Sequence, residues 1–235
     1  MEPTDPQLGQ HWQVLVYVAL SLAALIFTVV LLPSSAASFR RFYGEINAIA
    51  VTLVVAAAGA AALWVLQSTY QFALLQGKAT LRGIALSAGL ATLLAVAIVI
   101  ADFVVRYPQD INVPVPEALL FYPAIGFVAE IVFHIVPLAL LLLALKPFVG
   151  WMGESRVVWL GILLVALAEP TFQVLFLGSP FTWADVYTWV HVFAIAVLQL
   201  IVFRRFDFVS MYGFRLFYYA YWHILWGVIR LEVLF

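Results

Sequence analysis

Long apolar stretches dominate this chain and settle its fold class before any single residue is weighed. A helix that crosses a bilayer needs about 20 mostly apolar residues. That rule places roughly seven spans, at 13–33, 46–68, 83–106, 118–145, 157–178, 185–203 and 211–232. The runs are continuous rather than alternating, so strands of a membrane barrel are not expected. Of the 235 residues 66% are hydrophobic and 10% charged, where a soluble domain has about 45–50% and about 25%. Too little polar surface exists to cover a globule in water, which excludes a soluble enzyme. A net charge of −1 offers no basic field, so nucleic acid is not a partner. The absence of cysteine excludes disulfides, thiolate metal sites, iron–sulfur clusters and a Cys nucleophile. The expected fold class is an all-α polytopic membrane protein, with the lipid bilayer as its first partner.

Orientation follows from the basic residues. One set of alternate loops holds Lys78, Arg82, Lys146, Arg156, Arg204, Arg205 and Arg215, and the other holds Arg40, Arg41, Arg106 and Arg230. The positive-inside bias then puts the N-terminus in the cytoplasm. Met1–Gln10 carries Glu2 and Asp5 but no Lys or Arg, unlike a signal peptide. Helix one is therefore expected to stay, although Ser34–Ser38 faintly resembles a cleavage site. Trp12, Trp151, Trp159, Trp183 and Trp189 fall near span boundaries, as an aromatic belt requires. The fourth span is over-long and holds Pro123 and Pro137, which predicts a tilt, a kink or a short interfacial piece. Ala56–Ala62 reads as a close-packing stretch of helix two. The proline-dense connector Asn112–Pro116 divides a three-helix segment, 1–114, from a four-helix core, 115–235, within one structural unit.

Polar residues are unevenly spread. In the first three spans only Asp102 stands out, four residues before Arg106, and the pair is expected to close a salt bridge at the interface. The last four spans carry Glu130 and His134 one turn apart, Glu169 followed by Pro170 and Gln173, His191, and the stripe Arg215, Tyr219, His223. Counted at 1.5 Å per residue from the cytoplasmic end, Glu130 lies at about 22 Å, His134 at about 16 Å, Glu169 and His223 at about 18 Å, and His191 at about 18–21 Å. Ionisable groups inside a bilayer are costly, and five at one depth predict a single buried site.

Three chemistries fit that set. Two carboxylates and several imidazoles suit zinc, iron or manganese, with Glu130, His134, Glu169 and His223 as ligands. A Glu beside a His can instead activate water without a metal. Interhelical hydrogen bonding is the third reading, at about 0.6–2 kcal/mol per contact. The aromatic cluster Phe217, Tyr218, Tyr219, Tyr221, Trp222 and Trp226 either lines a groove or packs within the bundle.

The segment Gly126-Phe-Val-Ala-Glu-Ile-Val-Phe-His134 is similar to the Glu-Glu-x-x-x-Arg motif of the CPBP family, the CAAX proteases and bacteriocin-processing enzymes also called Abi proteins. Val165-Ala-Leu-Ala-Glu169-Pro170 resembles that family's Phe-x-x-x-His motif, and His223-Ile-Leu-Trp-Gly227 its His-x-x-x-Asn motif. The resemblance spans roughly residues 115–232. It implies a helical bundle with a polar cavity and an intramembrane peptidase whose first motif Glu activates water. Here that Glu falls on Ala129, the motif Arg on His134, the second-motif His on Glu169 and the Asn on Gly227. Only Glu130 and His223 match unchanged, so the expected catalytic set, Glu130, His134, Glu169 and His223, requires Glu169 and His134 to have exchanged roles.

Three functions follow as expectations. The first is an intramembrane peptidase acting on a prenylated or transmembrane peptide, which needs a water-accessible cavity at the carboxylates. The second is a non-catalytic scaffold or accessory subunit with a helical membrane partner, whose polar residues would bond one another. The third is a membrane metalloprotein.

Overall fold

The computed structural model describes residues 9–176 and 182–235. Residues 177–178 of the fifth expected span lie outside that range, as do Glu2 and Asp5. Among the described residues there is no strand. Three long helices come first: α1 (Gln10–Tyr43), α2 (Ala48–Tyr70) and α3 (Lys78–Val105). The fourth span is α4 (Ala118–Glu130), a π-helical turn (Ile131–Ile135) and α5 (Val136–Leu145). A 3-10 turn and the short α6 (Val149–Met152) follow. Span five is α7 (Glu154–Val165) and α8 (Ala168–Phe176), and span six is α9 (Trp183–Arg205). The final helix joins α10 (Phe208–Tyr219) through a second π turn (Ala220–Leu225) to α11 (Trp226–Val233).

Local chemistry explains these boundaries. Asn47 Oδ1 accepts from the backbone N–H of Ile49 and Ala50 and starts α2. Thr182 and Asp185 form a reciprocal capping box on α9, and Asp207 caps α10 through the N–H of Ser210. Gly44, at φ 60°, turns the chain out of α1. Proline shapes the interiors. Pro33 bends α1 at Ser35 instead of ending it, so the helix runs on through Ser34–Ser38 to Tyr43. Pro137 has no N–H to return to the preceding turn, and the π segment lies directly before it. Pro170 sits in the first turn of α8 just after the break at Ala166–Leu167, which places Glu169 at a helix start within the span.

Among the described residues six helices are long and apolar enough to cross a membrane: His11–Tyr43, Ala48–Tyr70, Lys78–Val105, Ala118–Met152, Glu154–Leu175 and Trp183–Arg205. The seventh expected span exists as a helix but does not join them. Arg215, four tyrosines and His223 make it more polar, and it is held inside the bundle.

The two sequence halves interlock. α3 runs along α10, and α1 packs on α4. Ser87 Oγ donates to the Ser210 carbonyl, 2.9 Å, and Tyr70 OH to that of Leu142, 2.6 Å. The segment after α2 receives the N–H groups of Phe208 and Val209 on the carbonyls of Ala73 and Leu74. A continuous core including Leu66, Phe127, Ile131, Leu138, Phe203 and Phe214 results. The connector at 112–116 is thus a seam in sequence and not in space. Within Ala56–Ala62 only Gly59 and Ala62 are buried, Gly59 against Tyr17 and Ile131.

Candidate functional site

The polar residues of the last four spans assemble around a cation that sequence reasoning left out of the site. Arg215, on α10, is 3% exposed and uses all five of its N–H donors. Its Nε donates to Glu130 Oε1 at 2.5 Å. Its two Nη atoms grip Glu169 side by side, Nη1 to Oε1 at 2.8 Å and Nη2 to Oε2 at 2.7 Å. The remaining N–H groups reach Tyr219 OH at 3.0 Å and Gln199 Oε1 at 3.4 Å.

Each carboxylate is occupied further. Glu130 Oε1 also accepts from Gln199 Nε2, and Glu130 Oε2 accepts from His134 Nδ1 at 2.8 Å. A carboxylate opposite Nδ1 fixes the proton on that nitrogen. Glu169 Oε1 takes a long bond from Gln173, 3.4 Å. His134 Nε2 lies 3.7 Å from Glu169 Oε2 and is buried without a hydrogen-bond partner. Glu130, His134 and Gln199 have no exposed surface, and Glu169 is 4% exposed.

Backbone geometry makes this convergence possible. Glu130 ends α4 and His134 lies in the π turn that follows, while Glu169 stands at the break before Pro170. Gly126, one turn before Glu130, lets α10 approach closely: a Cβ there would sit 3.3 Å from Arg215 Cδ and 3.2 Å from Tyr219 Cε2.

His223 and His191 make their hydrogen bonds outside the cluster, and His223 touches it only through the Tyr219 ring, which it meets edge-on at 4.9 Å. His223 Nδ1 donates to Asn112 Oδ1 at 2.7 Å, and its ring stacks on Tyr122 with centroids 4.5 Å apart. Asn112 comes from the connector and fills the space beside Gly227, where a Cβ would meet its Nδ2 at 3.0 Å. Eight residues separate Arg215 from His223, about 12 Å along the helix. His191 Nε2 instead bonds Tyr218 OH at 3.0 Å.

Asp102 does not pair with Arg106, which ends α3 in a left-handed turn at φ 51°. It accepts from Arg230 Nε at 2.7 Å and Nη2 at 3.0 Å, from Trp226 Nε1 at 2.8 Å and from the Tyr107 N–H. The aromatic residues of the last helix are largely committed inward: Tyr218 to His191, Tyr219 to Arg215 and Trp226 to Asp102.

The donor set does not fit a metal. Arg215 fills the space between the carboxylates, and His223 faces Asn112. Among the described residues no group of three or more His, Asp or Glu is placed to hold a metal ion. The crevice between α8 and α9, about 320 Å³, is lined by Thr171, Val174, Leu175, Val186 and Trp189, and neither cluster carboxylate borders it.

Gln199 is absent from the sequence-derived set, and Arg215 appears in it only on the polar stripe of the last helix, without its acid partners. Arg215 was counted among loop charges although it falls inside 211–232, and an arginine at that depth demands an acid partner. Gln199 gave the same signal as a lone amide in an apolar run.

Fold and site together define an all-α polytopic membrane protein with a buried ionic cluster. No protein-family model matches the chain, and no curated protein or solved structure matches it either.

Proposed function

We propose that this membrane protein is non-catalytic, a scaffold or accessory subunit whose Glu130–His134–Glu169–Arg215–Gln199 cluster clamps α4, α8, α9 and α10 together. The observation that carries this reading is the grip of Arg215 on both oxygens of Glu169. A general base needs a free lone pair facing its substrate, and both oxygens of Glu169 are turned to the Arg215 guanidinium instead. Role exchange between Glu169 and His134 therefore finds no support here. The test is to reconstitute the protein and offer prenylated and transmembrane peptides, reading cleavage by mass spectrometry beside Glu169→Gln. The expected result is no cleavage that depends on Glu169. Cleavage lost in a folded Glu169→Gln variant overturns the proposal.

A CPBP-like peptidase is the second reading, favoured by one observation: the unpartnered His134 Nε2 near Glu169, where a water could be held. In that case His134→Ala would abolish turnover in the same assay.

With Arg215 and Arg230 buried in ion pairs, six cations remain on the face where α1 starts and three, Arg40, Arg41 and Arg106, on the other. The positive-inside bias supports a cytoplasmic N-terminus.

A further inference from the structure

The cations of that face are not evenly spaced. Lys78 opens α3 and Arg82 follows one turn later, both exposed, while Arg204 and Arg205 close α9. The turn after α9 brings these two helix ends together. Phe206 lies against α3, its Cγ 2.9 Å from where a Cβ would stand on Gly83. Arg205 Cζ sits 5.7 Å from the Phe206 ring, and Arg204 lies over Phe72 while donating to the Tyr70 carbonyl at 2.8 Å. Four positive charges thus gather at one elbow.

No acid answers them. Asp207 is next in sequence but has no exposed surface, and it is turned inward to Thr80, the Gln76 N–H and the Ser210 N–H. Among the described residues none of the four forms an ion pair. Directly along α3 from Arg82, Leu86 and Leu93 are exposed at 41% and 70%. Positive charge at the end of a spanning helix, continuous with an apolar ridge, complements a molecule with an anionic head and hydrocarbon tails.

We infer that this elbow is a binding site for an anionic phospholipid. Its phosphate would sit among Lys78, Arg82 and Arg205, and its acyl chains would lie along α3. The inference needs only the membrane setting and is independent of whether the buried cluster is catalytic. Each cation at a membrane surface contributes about fivefold to the affinity for anionic lipid.

The test is native mass spectrometry of the protein released from nanodiscs of mixed phosphatidylglycerol and phosphatidylcholine. The wild type should retain phosphatidylglycerol selectively. Arg82→Gln with Arg205→Gln should weaken that retention on the order of 25-fold if the two act independently. Arg82→Lys with Arg205→Lys should restore most of it, and Arg40→Gln with Arg41→Gln on the opposite face should leave it unchanged. No selectivity in the wild type overturns the inference, as does equal loss from the opposite-face pair. Failure of the lysine pair to restore retention also overturns it, because packing and not charge would then be at work.

Discussion

Arg215 meets Glu169 through two parallel hydrogen bonds of 2.8 and 2.7 Å while its Nε turns to Glu130. One planar guanidinium therefore ties the start of α8 to the end of α4, and it does so deep in a bundle that lipid surrounds. Breaking a buried pair from one side leaves an uncompensated charge, which costs about 3–5 kcal/mol. Arg215→Met should thus lower the unfolding temperature sharply, as followed by tryptophan fluorescence in detergent. Adding Glu130→Gln and Glu169→Gln to that variant should recover much of the loss. A triple variant no more stable than the single would show that the cluster does not act as a clamp.

Arg215→Lys separates charge from shape. Lysine keeps the charge but has three donors, where arginine presents five in a planar fork. Stability should fall between wild type and Arg215→Met. A value equal to wild type would mean that the paired geometry is immaterial.

Gly126→Ala should be felt although the change is one methyl group. The new Cβ would press on Arg215 and Tyr219 at 3.2–3.3 Å. Overpacking of this kind costs about 1–3 kcal/mol. The same substitution at Gly89, inside α3 with nothing within 4 Å, is the control and should raise stability by about 0.5–1 kcal/mol in the same melting experiment.

His223 should be only weakly coupled to the ionic cluster. A double-mutant cycle between His223→Ala and Glu169→Gln is expected to couple more weakly than one between Glu130 and Arg215, at about 1–3 kcal/mol, because only the Tyr219 ring links His223 to the cluster. Asn112→Ala should reproduce part of the effect of His223→Ala, since both remove the 2.7 Å bond but only His223→Ala also removes the ring stacked on Tyr122. Strong coupling between His223 and Glu169 would restore the single-site reading.

Orientation can be read directly, because the chain has no cysteine. Single cysteines at Lys78 and at Glu45 lie on opposite faces. Lys78→Cys should react with a membrane-impermeant maleimide only after permeabilisation, and Glu45→Cys in intact cells. The reverse pattern would invert the topology.

Much of this arrangement is legible in the sequence. Apolar run length gives the helical spans, and the cost of charge in lipid singles out Glu130, His134 and Glu169. The centre of the cluster escapes because helix position alone does not say which neighbour a side chain meets. Arg215 lies within a span yet resembles a loop cation when only boundaries are counted. Depth fails for His223 for a related reason: the connector reaches in and carries Asn112 to it, a contact 111 residues apart in sequence. Asp102 misleads likewise. A partner four residues away is the local choice, but the left-handed turn at Arg106 removes it and Arg230 takes its place.

The pairing of Asp102 with Arg230 across 128 residues has a counterpart in the cluster, where Glu130 and Glu169 precede Arg215 by 85 and 46 residues. In every case the acid is made first and the arginine comes with the last helix. Synthesis thus delivers three carboxylates to the membrane before any of their cations exists. Until α10 and α11 emerge, the earlier helices hold three acids without a cation, and the final helix brings both of the arginines that pair with them.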